Sequence, residues 1–237
     1  MMTDFTQQQE SLLFGAESDI ASLATKETAR LLVISDSHGS VETVAAILDY
    51  FGSSVDALCF CGDGIQDVFT VLSQASADAA LAVHIPPVAA FVRGNGDTGS
   101  CSFYGNAATT TISVPRVQLL QAARRRIFIT HGHNYDVYYS SQLLCDAARE
   151  ASASIALFGH THIANVQQKN ELLLLNPGSC ARPRAGQPPT FCIITLFAAE
   201  ATVDYSYFRL EKPFDSGAKD ALFRPFQPYS GDMQLLW

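Results

Sequence analysis

The sequence predicts an α/β fold, and three observations carry that prediction. Five short apolar runs each end in Asp, Asn or His beside turn residues. Stretches with apolar residues at helical spacing lie between some of these runs. The composition is 48% hydrophobic and 16% charged over 237 residues, that of a chain able to bury the core of one domain with extensions.

Taken in order, residues 1–29 form a polar N-terminal extension, with one short helix expected near Gln7 to Phe14. The first strand, Leu31 to Ser35, runs into Asp36 and His38. A helix follows over Val41 to Phe51, where Val44, Ile47, Leu48 and Phe51 share one face. The run Ala57 to Cys61 leads into Gly62 and Asp63, and an Ala-rich helical stretch over 65–87 stops at Pro86-Pro87. Val88 to Val92 leads into Gly94 and Asn95, and Ile127 to Thr130 into His131. Ser140 to Ala151 carries Leu143, Leu144, Ala147 and Ala148 as a second amphipathic helix, before Ile155 to Phe158 runs into Gly159 and His160. Apolar runs this short and continuous read as strands buried on both faces. After residue 162, a hairpin about Lys169-Asn170 and two further strands, Thr190 to Phe197 and Ala201 to Tyr207, are expected to close a second, antiparallel sheet. Residues 209–237 show no period but carry Phe214, Phe223, Phe226, Tyr229 and Trp237, an extension expected to pack on the domain or form an interface. The domain itself is placed at 30–208.

Charge narrows the function. A formal net charge of -8 argues against broad binding to nucleic acid or an anionic membrane, which needs clustered Lys and Arg. No run of about 18 apolar residues exists to span a bilayer. The first 29 residues are acidic and do not read as a secretory signal. The six Cys include no CxxC pair and read as reduced, buried side chains of a cytoplasmic protein; Cys59 and Cys61 share one strand face and belong to the core.

Open α/β sheets bind ligands beyond the carboxyl ends of their strands. Here those ends deliver Asp36, His38, Asp63, Asn95, His131, His160 and His162, so all but His84 of the six His lie in or beside strand-end motifs. In an extended segment, residues two apart project to the same side roughly 6–7 Å from each other, so Asp36-Ser37-His38 can grip one cation. His160-Thr161-His162 can send two imidazoles to two cations about 3.5–4 Å apart. Asp63, after Gly62, offers a bridging carboxylate, and glycines at 62, 94 and 159 are expected to let the backbone bend. Mixed Asp, Asn and His donors suit manganese, iron, zinc or cobalt.

The motifs Ser35-Asp36-Ser37-His38-Gly39, Gly62-Asp63, Gly94-Asn95-Gly96-Asp97, Thr130-His131-Gly132-His133 and Gly159-His160-Thr161-His162 resemble those of the calcineurin-like metallophosphoesterases. Their order, with Asn176-Pro177-Gly178-Ser179 after a strand, looks most like the small YfcE-type phosphodiesterases, over about Arg30 to Phe208. The resemblance implies a four-layer αββα sandwich, two central mixed sheets flanked by helices. It implies one cation held by Asp36, His38, Asp63 and His162 and another by Asp63, Asn95, His131 and His160, with Asp63 bridging. The expected cofactor is thus two divalent ions, manganese by preference, with iron, zinc, cobalt, nickel or magnesium as alternatives. The expected activity is hydrolysis of a small phosphoester, a phosphodiester by preference, by a hydroxide shared between the ions. The alternatives are a phosphomonoesterase or nucleotide phosphatase, and a non-catalytic scaffold like the retromer subunit of the same fold. A homo-oligomer is left open.

One departure stands out. The wider superfamily has His where this chain has Gly96, and that His is thought to protonate the leaving group; the YfcE-like subgroup often lacks it too. The expected catalytic set is therefore Asp63, Asn95, Asp97 and His133, with Asp97 orienting the ligands and His133 a substrate or supporting contact, or else an exposed turn residue. Pro177-Gly178 is read as an ordinary turn, with contact of Asn176 or Ser179 with the site as the alternative. Arg182 and Arg184 are read as a solvated loop with phosphate clamping as the alternative, and Arg124 to Arg126 as solvent-facing. No ligand candidate lies in the first 29 residues, so their removal is expected to leave the chemistry intact.

Overall fold

The five apolar runs become two parallel sets of strands, because side chains on both faces of each run are buried. The computed structural model describes residues 5–105, 108–211 and 223–231. The chain opens with β1 (Phe14–Gly15) and α1 (Glu17–Thr25). It then alternates through β2 (Thr28–Ile34), α2 (Val41–Phe51), β3 (Ala57–Phe60), α3 (Ile65–Ala77), the short α4 (Ala79–Ala82) and β4 (Val88–Phe91). A hairpin, β5 (Ser100–Tyr104) and β6 (Thr109–Ser113), precedes β7 (Val117–Ala122) and β8 (Arg125–Thr130). Helix α5 (Gln142–Glu150) and β9 (Ile155–Leu157) lead into β10 (Ala164–Lys169) and β11 (Leu172–Pro177). Last come β12 (Thr190–Phe197), β13 (Val203–Leu210), β14 (Phe223–Phe226) and β15 (Tyr229–Ser230).

Among the described residues, one sheet runs β1-β4-β3-β2-β12-β13-β14 and the other β15-β10-β11-β9-β8-β7. The inner layer is built from alternate residues of each strand: Leu31, Val33, Cys59 and Cys61 face Ile127, Ile129, Ile155 and Leu157. The other face of the first sheet, through Leu32, Ile34, Leu58 and Phe60, covers Val44, Ile47, Leu48, Val68 and Leu72 of α2 and α3. The outer face of the second sheet, through Phe128, Ala156 and Leu174, covers Leu144, Cys145 and Ala148 of α5. Helix, sheet, sheet and helix thus stack in four layers. Among the described residues no helix is long and apolar enough to cross a membrane.

Several elements differ from the expectation. The helix near the N-terminus is Glu17–Thr25, not Gln7 to Phe14. Residues 7–14 instead form a tight loop in which the Gln7 Nε2 donates to the Leu12 carbonyl and Leu12 takes a φ of 56°. Nor does the segment stand apart. Phe14 is 1% exposed and meets Phe69, Phe91 and Phe103 edge-on, and β1 pairs with β4. After residue 162 the strands divide between the sheets. The hairpin β10–β11 stays in the second sheet, but β12 returns to pair antiparallel with β2 of the first, Cys192 opposite Val33. Strand β7 and the β5–β6 hairpin carry no strong signal in the sequence; β7 alternates buried and exposed residues, as an edge strand does. Arg125 is not simply solvent-facing, since its guanidinium donates to the Ala201 carbonyl. The residues after 222 build β14 on one sheet and β15 on the other. Phe214 and Trp237 lie outside the described residues.

Candidate metal centre

The carboxyl ends of β2, β3 and β4 meet those of β8 and β9 at one edge of the sandwich. Asp36, Asp63 and Asn95 come from the first sheet, and His131, His160 and His162 from the second. The loops are tied by backbone hydrogen bonds: the Asp36 amide donates to Gly62, the His38 amide to Asp63, and the Gly159 amide to His131.

These loops are not extended strand, as two-residue spacing suggested. Asp36, His38, Asp63, His160 and His162 all adopt φ between 44° and 68°. That left-handed geometry costs roughly 1–3 kcal/mol per residue and persists where surroundings enforce it, typically at functional sites. The glycines also act differently from expectation. Gly62 alone of the three has a positive φ, 92°. At Gly94 a Cβ would lie 1.9 Å from the Asp63 Oδ1, and at Gly159 it would lie 2.0 Å from the Ser35 Oγ. Those two positions need the absence of a side chain, not a special backbone.

Asp36 is fully buried. Its Oδ2 accepts from the Ser35 hydroxyl at 2.6 Å and from the His160 amide at 3.1 Å. Its Oδ1 is buried with no hydrogen-bond partner, 3.2 Å from the His162 Nε2, 3.8 Å from His38 and 4.0 Å from His131. Asp63 accepts from the Gly96 amide through Oδ1 at 2.7 Å, while Oδ2 lies 3.8 Å from His38 and 3.5 Å from His131. The His131 Nδ1 donates to the Cys61 carbonyl at 2.7 Å, and the His162 Nδ1 to the Arg182 carbonyl at 2.5 Å. A carbonyl can only accept, so in each neutral ring the Nε2 carries a lone pair aimed at the carboxylates. The His131 Nε2 is likewise buried without a hydrogen-bond partner. Lone pairs converging on carboxylates repel unless a cation stands between them. The donors therefore fit metal ions, in two overlapping groups: Asp36, His38 and His162, and Asp36, Asp63 and His131.

Titration behaviour follows the same field. Burial opposes it, yet His131, the Gly96 amide and His38 hold Asp63 well below the usual carboxylate range. Burial lowers the His131 pKa, but Asp63 and Asp36 outweigh it and raise the group above its ordinary value. His160, half-buried, is pushed down to about 4 by burial and then by the nearby His131. Its ring stands 5.0 Å from that of His131, while the His162 ring stands 4.8 Å from that of His38.

Asn95 is exposed and lines an open cavity of about 370 Å3 with His38, Asp63, His160 and His162. His133 is placed beside His131, ring centroids 5.4 Å apart. Burial, then His131, and further Arg116 and Arg93 hold its pKa down. Asp97 touches backbone instead of the cavity. Its carboxylate accepts from the amides of Asp63, Gly64, Ile65 and Gly94 at 2.7–3.0 Å, which stitches the two loops and caps α3. Asp97→Ala is expected to lower stability by about 2–4 kcal/mol and metal affinity by about 10–100-fold. Calorimetric unfolding and metal titration check this; unchanged metal affinity would remove Asp97 from the site.

Several residues near the centre were missed or underrated. Buried Asp67 accepts from the Ser37 hydroxyl and the Gly39 amide, holding the first loop; a carboxylate on the apolar face of a helix was its only signal. Asn176 donates to the Gly159 carbonyl and Ser179 to that of Asp36, so both hold the site's backbone and are more than a turn. Tyr138 donates to the His160 carbonyl at 2.9 Å, and no local pattern marks it. Arg182 and Arg184 are exposed, as a solvated loop requires, yet they also line the same cavity, because the crossover from β11 to β12 carries them across the strand ends.

A four-layer sandwich with His and carboxylate donors gathered at its strand ends defines a class of α/β protein with a candidate divalent-metal centre between its two sheets. Residues 30–198 match the calcineurin-like phosphoesterase superfamily domain. The chain belongs to that superfamily, whose members bind divalent metals. It is 31% identical over 175 residues to the probable metallophosphoesterase YsnB of Bacillus subtilis, covering 74% of this chain and 89% of YsnB. It is 28% identical to the phosphodiesterase YfcE of Escherichia coli K12, over 68% of this chain and 85% of YfcE. In fold it is similar to Vacuolar Protein Sorting 29 from Cryptosporidium parvum, with a TM-score of 0.59 and 18% identity over 85% of this chain and 99% of that one.

Proposed function

We propose that this chain is a two-metal phosphodiesterase acting on a small phosphoester in the cytoplasm. The observation that supports it best is the pair of buried, unpartnered atoms, Asp36 Oδ1 and His131 Nε2, facing each other across the strand ends. In this reading Asp36, His38, Asp63 and His162 hold one ion and Asp63, Asn95, His131 and His160 the other. Divalent ions bound there, manganese by preference, supply a water acidic enough to ionise near neutral pH and positive charge for the phosphoryl group. Asp63 Oδ2 lies between His38 and His131, which favours it as the bridge. The Cys61 and Arg182 carbonyls fix the tautomers that keep both Nε2 lone pairs available. Asp97 and Asp67 hold the loops so that little reorganisation accompanies binding. Reconstitution with manganese, elemental analysis and hydrolysis of an aryl phosphodiester test the reading. About two equivalents of metal with turnover are expected; a folded protein that takes up no metal would favour the scaffold.

Gly96 bears on the leaving group. The position is not left-handed, so backbone conformation does not demand glycine there. A Cβ would instead stand 3.2 Å from the Asp63 Oδ1 and press on that carboxylate. With no imidazole at 96, rates should fall steeply as leaving-group pKa rises. Gly96→His should speed alkyl esters more than aryl esters, by up to about 10²-fold, provided metal content holds. A leaving-group series measured with metal content checks this. A wild-type enzyme with no such dependence, chemistry being rate-limiting, would show that another acid acts.

A further inference from the structure

Of the eleven arginines, four pair with carboxylates among the described residues and seven do not, and two of the seven border the candidate metal centre. Arg124, Arg149, Arg209 and Arg224 pair with carboxylates. Arg182 and Arg184 line the same cavity as His38, Asp63 and His160, and among the described residues neither lies within 4 Å of a carboxylate. A cation left without an anion beside a metal centre is poised for an anionic ligand.

The two guanidinium groups are also held in place. The Arg182 Nη2 donates to the His38 carbonyl at 3.1 Å, and its amide to the Ser179 hydroxyl at 2.7 Å. The Arg184 Nη1 donates to the Tyr138 hydroxyl, its guanidinium lies over that ring at 5.8 Å, and its amide donates to the His162 carbonyl. Pro183 between them narrows the backbone further. Each guanidinium has five N–H groups and spends one on its anchor, so most donors of two fixed forks remain for a ligand. The cavity, about 370 Å3, falls within the ~300–1,000 Å3 range of small-molecule sites.

We propose that the substrate carries a second phosphoryl group beside the scissile ester, held by the Arg182 and Arg184 guanidinium groups on the rim of the site. The inference rests on the phosphoesterase reading and adds the substrate class: a bisphosphorylated compound, or one with two phosphoryl groups in line. The scissile phosphate belongs to the His and Asp donors at the floor. The arginines stand at the rim, where a neighbouring phosphate on the same molecule reaches them.

The test is calorimetric titration of the manganese-loaded protein with two matched pairs of probes: inorganic phosphate against pyrophosphate, and thymidine 5′-monophosphate against thymidine 3′,5′-bisphosphate. The pairs cover a short and a longer spacing. In at least one pair the second phosphate should tighten binding about 10–100-fold. Arg182→Ala/Arg184→Ala should bring that ratio close to one. The corresponding double Lys variant should keep part of it, since charge survives without the fork. Arg149→Ala, remote from the site, should leave it unchanged. Equal binding within both pairs overturns the proposal, as does a ratio that persists in the double Ala variant. An equal loss for both members of a pair assigns the arginines to the scissile phosphate and overturns it too. Hydrolysis of the p-nitrophenyl ester of thymidine 5′-phosphate is measured in parallel. Its absence, with the binding ratio intact, counts against the phosphoesterase reading and leaves the second-phosphate site standing.

Discussion

Asp63→Asn is expected to empty both metal positions and abolish hydrolysis. The loss should go well beyond the about 10–100-fold that follows removal of a group merely supporting a ligand. One carboxylate oxygen, Oδ2, faces His38 and His131 at 3.8 and 3.5 Å, and an amide there would keep the shape but not the charge that the proposed bridge between two cations requires. His162→Ala should instead cost one equivalent, because that ring faces only Asp36 and His38 among the candidate ligands. Asp36→Asn is the informative companion. Asp36 Oδ1 also approaches histidines of both sets, at 3.2 Å to His162 and 4.0 Å to His131. If Asp36→Asn empties both positions and Asp63→Asn only one, the bridge belongs to Asp36. Elemental analysis of both variants decides.

Deletion of residues 1–27 should unfold the domain or leave it aggregating, the opposite of what the lack of ligands in that segment suggests. It removes Leu13, Phe14 and Leu23, each at most 4% exposed. Loss of such side chains costs about 3–5 kcal/mol for Phe and 2–5 for Leu, against a total stability of about 5–15 kcal/mol. It also bares the edge of β4, which β1 covers, and an open hydrophobic edge invites association. Helix α1 further accepts the Ala123 and Arg124 amides through the Leu23 and Ala24 carbonyls, which anchors the turn between β7 and β8. Phe14→Ala is the milder probe, expected to lose about 3–5 kcal/mol in urea unfolding. A truncated protein that melts within a few degrees of the full chain would show the segment to be dispensable.

Much of the fold was legible because burial on both faces writes itself as continuous apolar runs such as Leu31 to Ile34 and Ala57 to Phe60. The candidate ligands were legible because they end those runs. What stayed hidden depends on distance in space. Phe14 lies in a strand of two residues, too short to show any period. The return of β12 to β2 is set by pairing partners far apart in the chain, and it brings Arg182 and Arg184 to the site. The left-handed loops leave no mark, since Asp and His at 36, 38, 160 and 162 look like residues of ordinary extended ends.

Because Asp36 and Asp63 come from one sheet and His131, His160 and His162 from the other, the gap between the sheets would act as a gauge for any ions held between them. Its filling includes small side chains: Ala57, Cys59, Cys61, Ala90 and Ala122. Metal–ligand distances tolerate only about 0.2 Å. Adding or removing a methyl group deep in that filling should therefore change which ionic radius the centre prefers, with no ligand touched.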